Sequence, residues 1–314
     1  MTDLILHHFR VSPFSEKVRM MLSYKQLAWK SVIVPSISPK PDVLALTGGY
    51  RKTPFLQIGA DIYCDSALIG DVLEHLQPEP PLYPQAGKGL ARILAQWADS
   101  TLFWAAIAGP RSAAHMHGGA PPETAPAFIA DRTAMFGSMV RLRLADAAAA
   151  YKSYLRRLSD MLDGQPYLLG SLPCIADFAA YHPLWFVHTG MPPEEDVLRH
   201  TPAVIGWMDR MQAIGRNRQE EAFDAVRAIA AAADSEPMPI GHGPLCDSTF
   251  QDEHGIPLGS CVTVAAESFG QEPTEGQLIA ATRTHYSLKR TDARAGTVHV
   301  HFPRIGYVLE RVDG

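Results

Sequence analysis

The chain has 314 residues, 46% of them hydrophobic and 19% charged, with a formal net charge of −5. This length holds about two or three domains, and the composition is that of an ordinary globular protein rather than a disordered or fibrous one. The acidic balance excludes a broad basic field for nucleic acid, whose binding rests on Lys and Arg neutralising phosphates.

At the N-terminus Asp3 stands where a secretory signal carries positive charge, and no apolar run approaches the roughly 20 residues of a membrane span. A cytoplasmic location without a membrane partner is expected. Leu4-Ile5-Leu6-His7-His8-Phe9 reads as a short buried strand. After a polar break, Phe14, Val18, Met21 and Leu22 recur at i, i+4, i+7 and i+8, which makes one apolar helical face. Trp29 through Val34, closed by Pro35, is a second strand, and strand–helix–strand implies a parallel pair. Residues 36–49 read as loop with a short helix near 43–46. Two apolar runs then flank Gly59-Ala60 as a hairpin. Asp65-Ser66 stand as capping residues before a helix carrying Leu68, Ile69, Val72, Leu73 and Leu76. Residues 1–77 therefore form one α/β domain, ordered βαβ, connection, ββα.

Gln77-Pro78-Glu79-Pro80-Pro81 cannot continue that helix and reads as a linker. From 87 to 233 the sequence is alanine-rich and predicts an all-helical domain with helices at 90–106, 128–162, 176–187 and 203–214. Loops are expected at Gly109-Pro110, 118–126 and 190–193. Residues 235–314 change texture again: β-prone runs at 261–265, 277–288 and 297–302 predict a small sandwich or barrel. This β-rich extension carries ten acids against six Lys or Arg. A structural role is expected for it, packed on the helical domain or on a dimer partner.

Three motifs in the first domain, "SPFSEKVR", "KTPFL" and "DSALI", occur in an order and spacing that resemble the glutathione transferase superfamily, serine/cysteine-type branch. "CIADFAAYHPLW" in the helical domain is similar to that family's sixth helix with its capping box, with Cys174 where Ser or Thr is usual and Asp177 at the third helical position. The resemblance covers roughly residues 3–225. It implies a thioredoxin-like domain followed by the family's all-α domain, glutathione as co-substrate, a small electrophilic substrate and a homodimer. It also implies site residues: Ser12 as the catalytic residue, Thr53 and a cis Pro54 facing the cysteinyl unit, and Asp65 and Ser66 for the γ-glutamyl group; Lys52 reads equally as a partner of the glycyl carboxylate or as a solvated lysine.

The magnitudes fit such chemistry. A free thiol has a pKa near ~8.5, and lowering it by about two units requires ~2.7 kcal/mol. A hydrogen bond to a charged group supplies ~1.5–3 kcal/mol and a helix N-terminus ~0.3–1 kcal/mol. Ser12 before Pro13 reads equally well as a plain helix cap, and Ser15, one turn further on, is the second candidate. Neither position is a thiol, which disfavours a mixed-disulfide mechanism and implies that the thiol arrives with the substrate.

Cys64, Cys174, Cys246 and Cys261 form no C-x-x-C pair and read as reduced thiols. His115 with His117, and His299 with His301, each lack an evident third ligand, so no metal site is expected. Trp97, Phe103 and Trp104 read either as core or as lining for the electrophile. Two rival functions share these residues: a binding or assembly protein without turnover, and a glutathione-dependent isomerase or dehalogenase.

Overall fold

The computed structural model describes residues 3–108, 122–189, 191, 196–251 and 253–312. The loops read at Gly109-Pro110 and 190–193, together with His115 and His117, lie largely or wholly outside them.

Strand β1 (Leu4–His8), helix α1 (Pro13–Tyr24), strand β2 (Trp29–Ile33), helix α2 (Pro41–Thr47), the hairpin β3 (Phe55–Ile58) and β4 (Asp61–Cys64), and helix α3 (Ser66–Leu76) follow one another in the expected order. β1 pairs parallel with β2 and antiparallel with β3. Alternation along these strands sorts the core: Leu6, Leu56 and Tyr63 face α1 and α3, while Phe55, Ile62 and Cys64 face the opposite side with Val43 and Leu46 of α2.

The helical region begins with α4 (Lys88–Trp97), which runs through a π-helical turn (Ala98–Leu102) into α5 (Phe103–Ile107). The expected helix at 128–162 is two helices, α6 (Ala125–Phe136) and α7 (Leu144–Met161). The break follows from Gly137, whose φ of +51° ends α6 in a conformation that a side chain disfavours. Next come α8 (Ile175–His188) and α9 (Pro202–Ile214). At the start of α8, Asp177 accepts from the Cys174 N–H at 2.9 Å, and its other oxygen accepts from the Leu168 N–H and the Trp207 indole, both at 2.9 Å. Burial, followed by the neighbouring Asp177 charge, pushes the Cys174 thiol up to about 12, so it stays protonated. Among the described residues no helix is long and apolar enough to cross a membrane.

Residues beyond α9 leave the helical bundle, although their texture extends the helical reading to 233. β5 (Glu220–Ala222) pairs parallel with β2, and α10 (Ala225–Ala233) packs against α2 and the sheet.

The extension corrects the expectation of a separate sandwich or barrel. Its strands β6 (Cys261–Ala266), β7 (Thr274–Ala281), β8 (His285–Asp292), β9 (Gly296–Pro303) and β10 (Tyr307–Arg311) continue the first domain's sheet. The joint is a parallel pairing of β9 with β4, Ile62 opposite Val300, within a ten-stranded order β10-β6-β7-β8-β9-β4-β3-β1-β2-β5. Val298, Val300 and Phe302 therefore join Phe55, Ile62 and Cys64 in one core, and Asp61 accepts from His301 Nε2 at 3.0 Å across the joint. His301 Nδ1 accepts from the Ser287 hydroxyl at 2.7 Å. The extension reaches the α2–β3 connection as well. Thr274 donates to the Thr47 carbonyl and accepts from the Tyr50 N–H, each at 3.0 Å. The chain needs glycine at 49 because a Cβ there would lie 1.8 Å from the Pro273 carbonyl oxygen.

Contact with the helical region, the expected partner of the extension, is confined to fewer groups. Phe269 packs edge-on against Trp104 and Phe136, and the Gly270 N–H donates to the Met135 carbonyl at 2.8 Å. Arg51 ties all three parts together by donating to Ser38, to Asp131 of α6 and to Glu272 of the extension.

Candidate functional site

Ser12 is the N-cap of α1, half-buried, with its Oγ accepting from the Ser15 N–H at 3.2 Å. That bond uses a lone pair and leaves the hydroxyl hydrogen available as a donor. Ser15, the second candidate, is fully buried, and its Oγ accepts from the Phe9 N–H at 3.4 Å. Arg19 fixes the loop in front of Ser12: it pairs with Glu16 and donates to the Arg10 carbonyl at 2.8 Å and to His8 Nδ1 at 2.9 Å. Because a guanidinium only donates, His8 Nδ1 is an acceptor and its Nε2–H donates to Ser31. Burial and then the Arg19 charge push the His8 imidazole down to about 3, which keeps this tautomer neutral.

Thr53–Pro54 is cis, as the resemblance implies, and Thr53 precedes the first ladder residue of β3, Phe55. The segment before it is held by Lys40, a buried ammonium that donates to the Arg51 carbonyl at 3.2 Å. Burial, then the nearby Arg132 and Arg51 charges, push Lys40 down to about 8. Asp65 and Ser66 open α3. Asp65 sits at φ +79° and accepts from the Ala67 N–H at 2.9 Å; Ser66 is buried.

Sequence reasoning missed what joins Ser66 to α1. Lys17, fully buried, donates to Ser66 Oγ at 3.2 Å and to Asp99 at 2.5 Å. Asp99 lies on the π-helical turn, a feature common at functional sites, and its other oxygen accepts from His182 Nε2 at 2.9 Å. Burial raises the Asp99 carboxyl, but the Lys17 charge and the His182 hydrogen bond outweigh it and hold the group below the usual carboxylate range. The signal was present: Lys17 precedes Val18 on the apolar face of α1, where a charge requires a partner.

Of the aromatic candidates, Phe103 and Trp104 belong to the interface of the parts and Trp97 does not. Phe14, two residues past Ser12, meets Phe103 at 4.8 Å and His182 at 4.5 Å between centroids. Trp104 meets Phe269 and Phe136, both at 5.4 Å, while Trp97 stands edge-on to Tyr154 of α7. A run of rings thus leads from the start of α1 to the extension.

Lys52 is half-buried and belongs to none of the described ion pairs. Its ammonium lies over the rings of Tyr50 and Tyr307, 5.4 and 5.1 Å from their centroids. Burial lowers its pKa, opposed by the Asp65 charge. His299 and His301 share a strand face, as their spacing predicts, and that face holds Asp61.

Known proteins share this fold and parts of this sequence. Residues 6–81 match the family model described as the glutathione S-transferase N-terminal domain, and residues 140–210 match that of the C-terminal domain. A GST-like protein from Pseudomonas syringae of known crystal structure is 38% identical, with 99% of this chain and 100% of that one covered at a TM-score of 0.81. A glutathione S-transferase from Rhodospirillum rubrum is 21% identical over 67% of this chain and 88% of that one, at a TM-score of 0.51, a likeness of fold. Pyrimidodiazepine synthase of Drosophila melanogaster is 31% identical over 86 residues, a match covering 26% of this chain and 35% of that protein's length. With both family models in chain order and a 38% identical relative spanning effectively the whole sequence, extension included, the chain belongs to the glutathione S-transferase superfamily.

Proposed function

We propose that the protein is a glutathione transferase in which Ser12 donates to the sulfur of bound glutathione and holds it as the thiolate for attack on a small electrophile. The observation that carries this reading is the state of Ser12. It is half-buried at the mouth of α1, its oxygen is anchored by the Ser15 N–H, and its hydrogen is uncommitted. Thr53 offers its backbone to the cysteinyl unit. Ser66 with Lys17 receives the glutamyl carboxylate, and Asp65 its ammonium. The family binds glutathione generally, and the retained positions of Thr53, Pro54, Asp65 and Ser66 support the same ligand here.

In this reading the electrophile enters beside Phe14, Phe103 and Trp104, and the protein works in the cytoplasm as a homodimer. The test is a titration of the glutathione thiolate by its ultraviolet absorbance, bound and free. A bound thiol pKa lowered by about two units, and lowered much less in Ser12→Ala, is expected. An unshifted thiol in the wild-type complex refutes transferase chemistry and favours a binding protein of the same fold.

A further inference from the structure

The extension's Tyr307 stands between two residues assigned to opposite ends of glutathione. Tyr307 lies on β10, the far edge of the sheet from β4, yet its hydroxyl donates to Asp65 Oδ2 at 3.0 Å, so the extension curls back onto the start of α3. Asp65 Oδ1 is already committed to the Ala67 N–H. The face of the same tyrosine carries the Lys52 ammonium at 5.1 Å, and the neighbouring Tyr50 ring lies 5.4 Å from it. The stem of Lys52 is pinned too: Gly270, at φ +70°, leaves so little room that a Cβ there would lie 3.1 Å from Lys52 Cγ and Cδ.

Lys52 and Asp65 carry opposite charges in one partly buried place, where direct collapse into an ion pair would be favoured. The described ion pairs contain neither residue. Tyr307 satisfies the carboxylate through a hydrogen bond and the ammonium through its ring, so each charge keeps a free direction.

We propose that Tyr307 is a positioning residue for glutathione, supplied by the extension, which keeps Asp65 aimed at the glutamyl ammonium and Lys52 at the glycyl carboxylate. This inference rests on the glutathione reading above. It gives the extension a place in the site itself rather than a purely structural role. Tyr307 does not touch the sulfur, so its effect falls on glutathione affinity and not on the chemical step.

The experiment is Tyr307→Phe in the full chain, which keeps the ring over Lys52 and the packing on Phe302 and removes the hydroxyl, with its bonds to Asp65 and to the Tyr50 hydroxyl. The expected result is a glutathione KM raised about fivefold with kcat at saturation unchanged. The preference for glutathione over an analogue lacking the glutamyl amine should fall by a similar factor, because Asp65 has no target in that analogue. Equal weakening toward both ligands, a fall in kcat alone, or no change in KM overturns the proposal. Failure of the wild-type protein to bind glutathione in the same titration refutes the underlying transferase reading instead, so the two failures are separable.

Discussion

Lys17, fully buried, and Asp99, half-buried, form an ion pair that joins the first helix of the α/β domain to the π-helical turn of the helical domain, with Ser66 and His182 completing the chain of hydrogen bonds. Removing Asp99 strands the Lys17 charge away from water, at a cost of about 3–5 kcal/mol. Asp99→Leu should therefore lower the urea midpoint sharply, and Lys17→Met with Asp99→Leu should recover much of the loss. A double-mutant cycle by equilibrium unfolding checks this; additive losses would mean the pair is not coupled.

Ser12→Ala removes both the cap and the proposed donor. The cap contributes ~1 kcal/mol to stability, while a hydrogen bond to a thiolate contributes ~1.5–3 kcal/mol to its formation. The turnover of a model electrophile should accordingly fall by about 10- to 100-fold, with a thermal shift of only a few degrees. Ser15→Ala should leave turnover near wild type, since its oxygen is buried against the Phe9 N–H. Steady-state rates for both variants decide the assignment.

Acid should destabilise the fold through its buried imidazoles. Burial pushes His7 down to about 4, opposed by the Gln57 hydrogen bond, and burial followed by His301 pushes His285 down to about 4. A histidine lowered in the folded state binds its proton more readily when unfolded. Its contribution is complete above the unfolded value near ~6.5 and is lost as the pH falls toward 4. Each unit is about 1.4 kcal/mol, so each group contributes on the order of 3 kcal/mol across that window. Urea midpoints measured between pH 7 and 4 should decline steadily, and a flat profile contradicts the burial of these rings.

Deleting the chain from residue 235 should do more than lower a melting temperature. It uncovers the outer edge of β4 and strips Phe55, Ile62 and Cys64 of their partners Val298, Val300 and Phe302. An exposed apolar edge strand promotes association. The truncated protein is expected to aggregate or to lose cooperative unfolding in calorimetry; a monodisperse, cooperatively folding fragment would show that the first domain stands without the extension.

Local pattern carried much of this architecture. The apolar period of α1, the two-residue turn at Gly59-Ala60 and the caps at Ser12 and Asp65 are short-range features, and each element stands where it was read. The cis bond at Thr53–Pro54 followed from family likeness rather than from local chemistry. What local reading missed is long-range pairing. Val300 alternates like any half-buried strand residue and says nothing of Ile62, its neighbour across the joint. The same holds for Tyr307 and Asp65, and for Lys17 and Asp99, whose partners are set by the curl of the sheet and by one π-helical turn. The split of 128–162 was within reach, because Gly137 announces it.

The parallel β4–β9 joint also sets an order of events during synthesis. A ribosome delivers β4 long before β9, so the first domain leaves the exit tunnel with one side of its sheet unpaired and half of its core uncovered. Native closure must wait for the strands of the extension, and the nascent protein is at its most adhesive until β9 has joined β4.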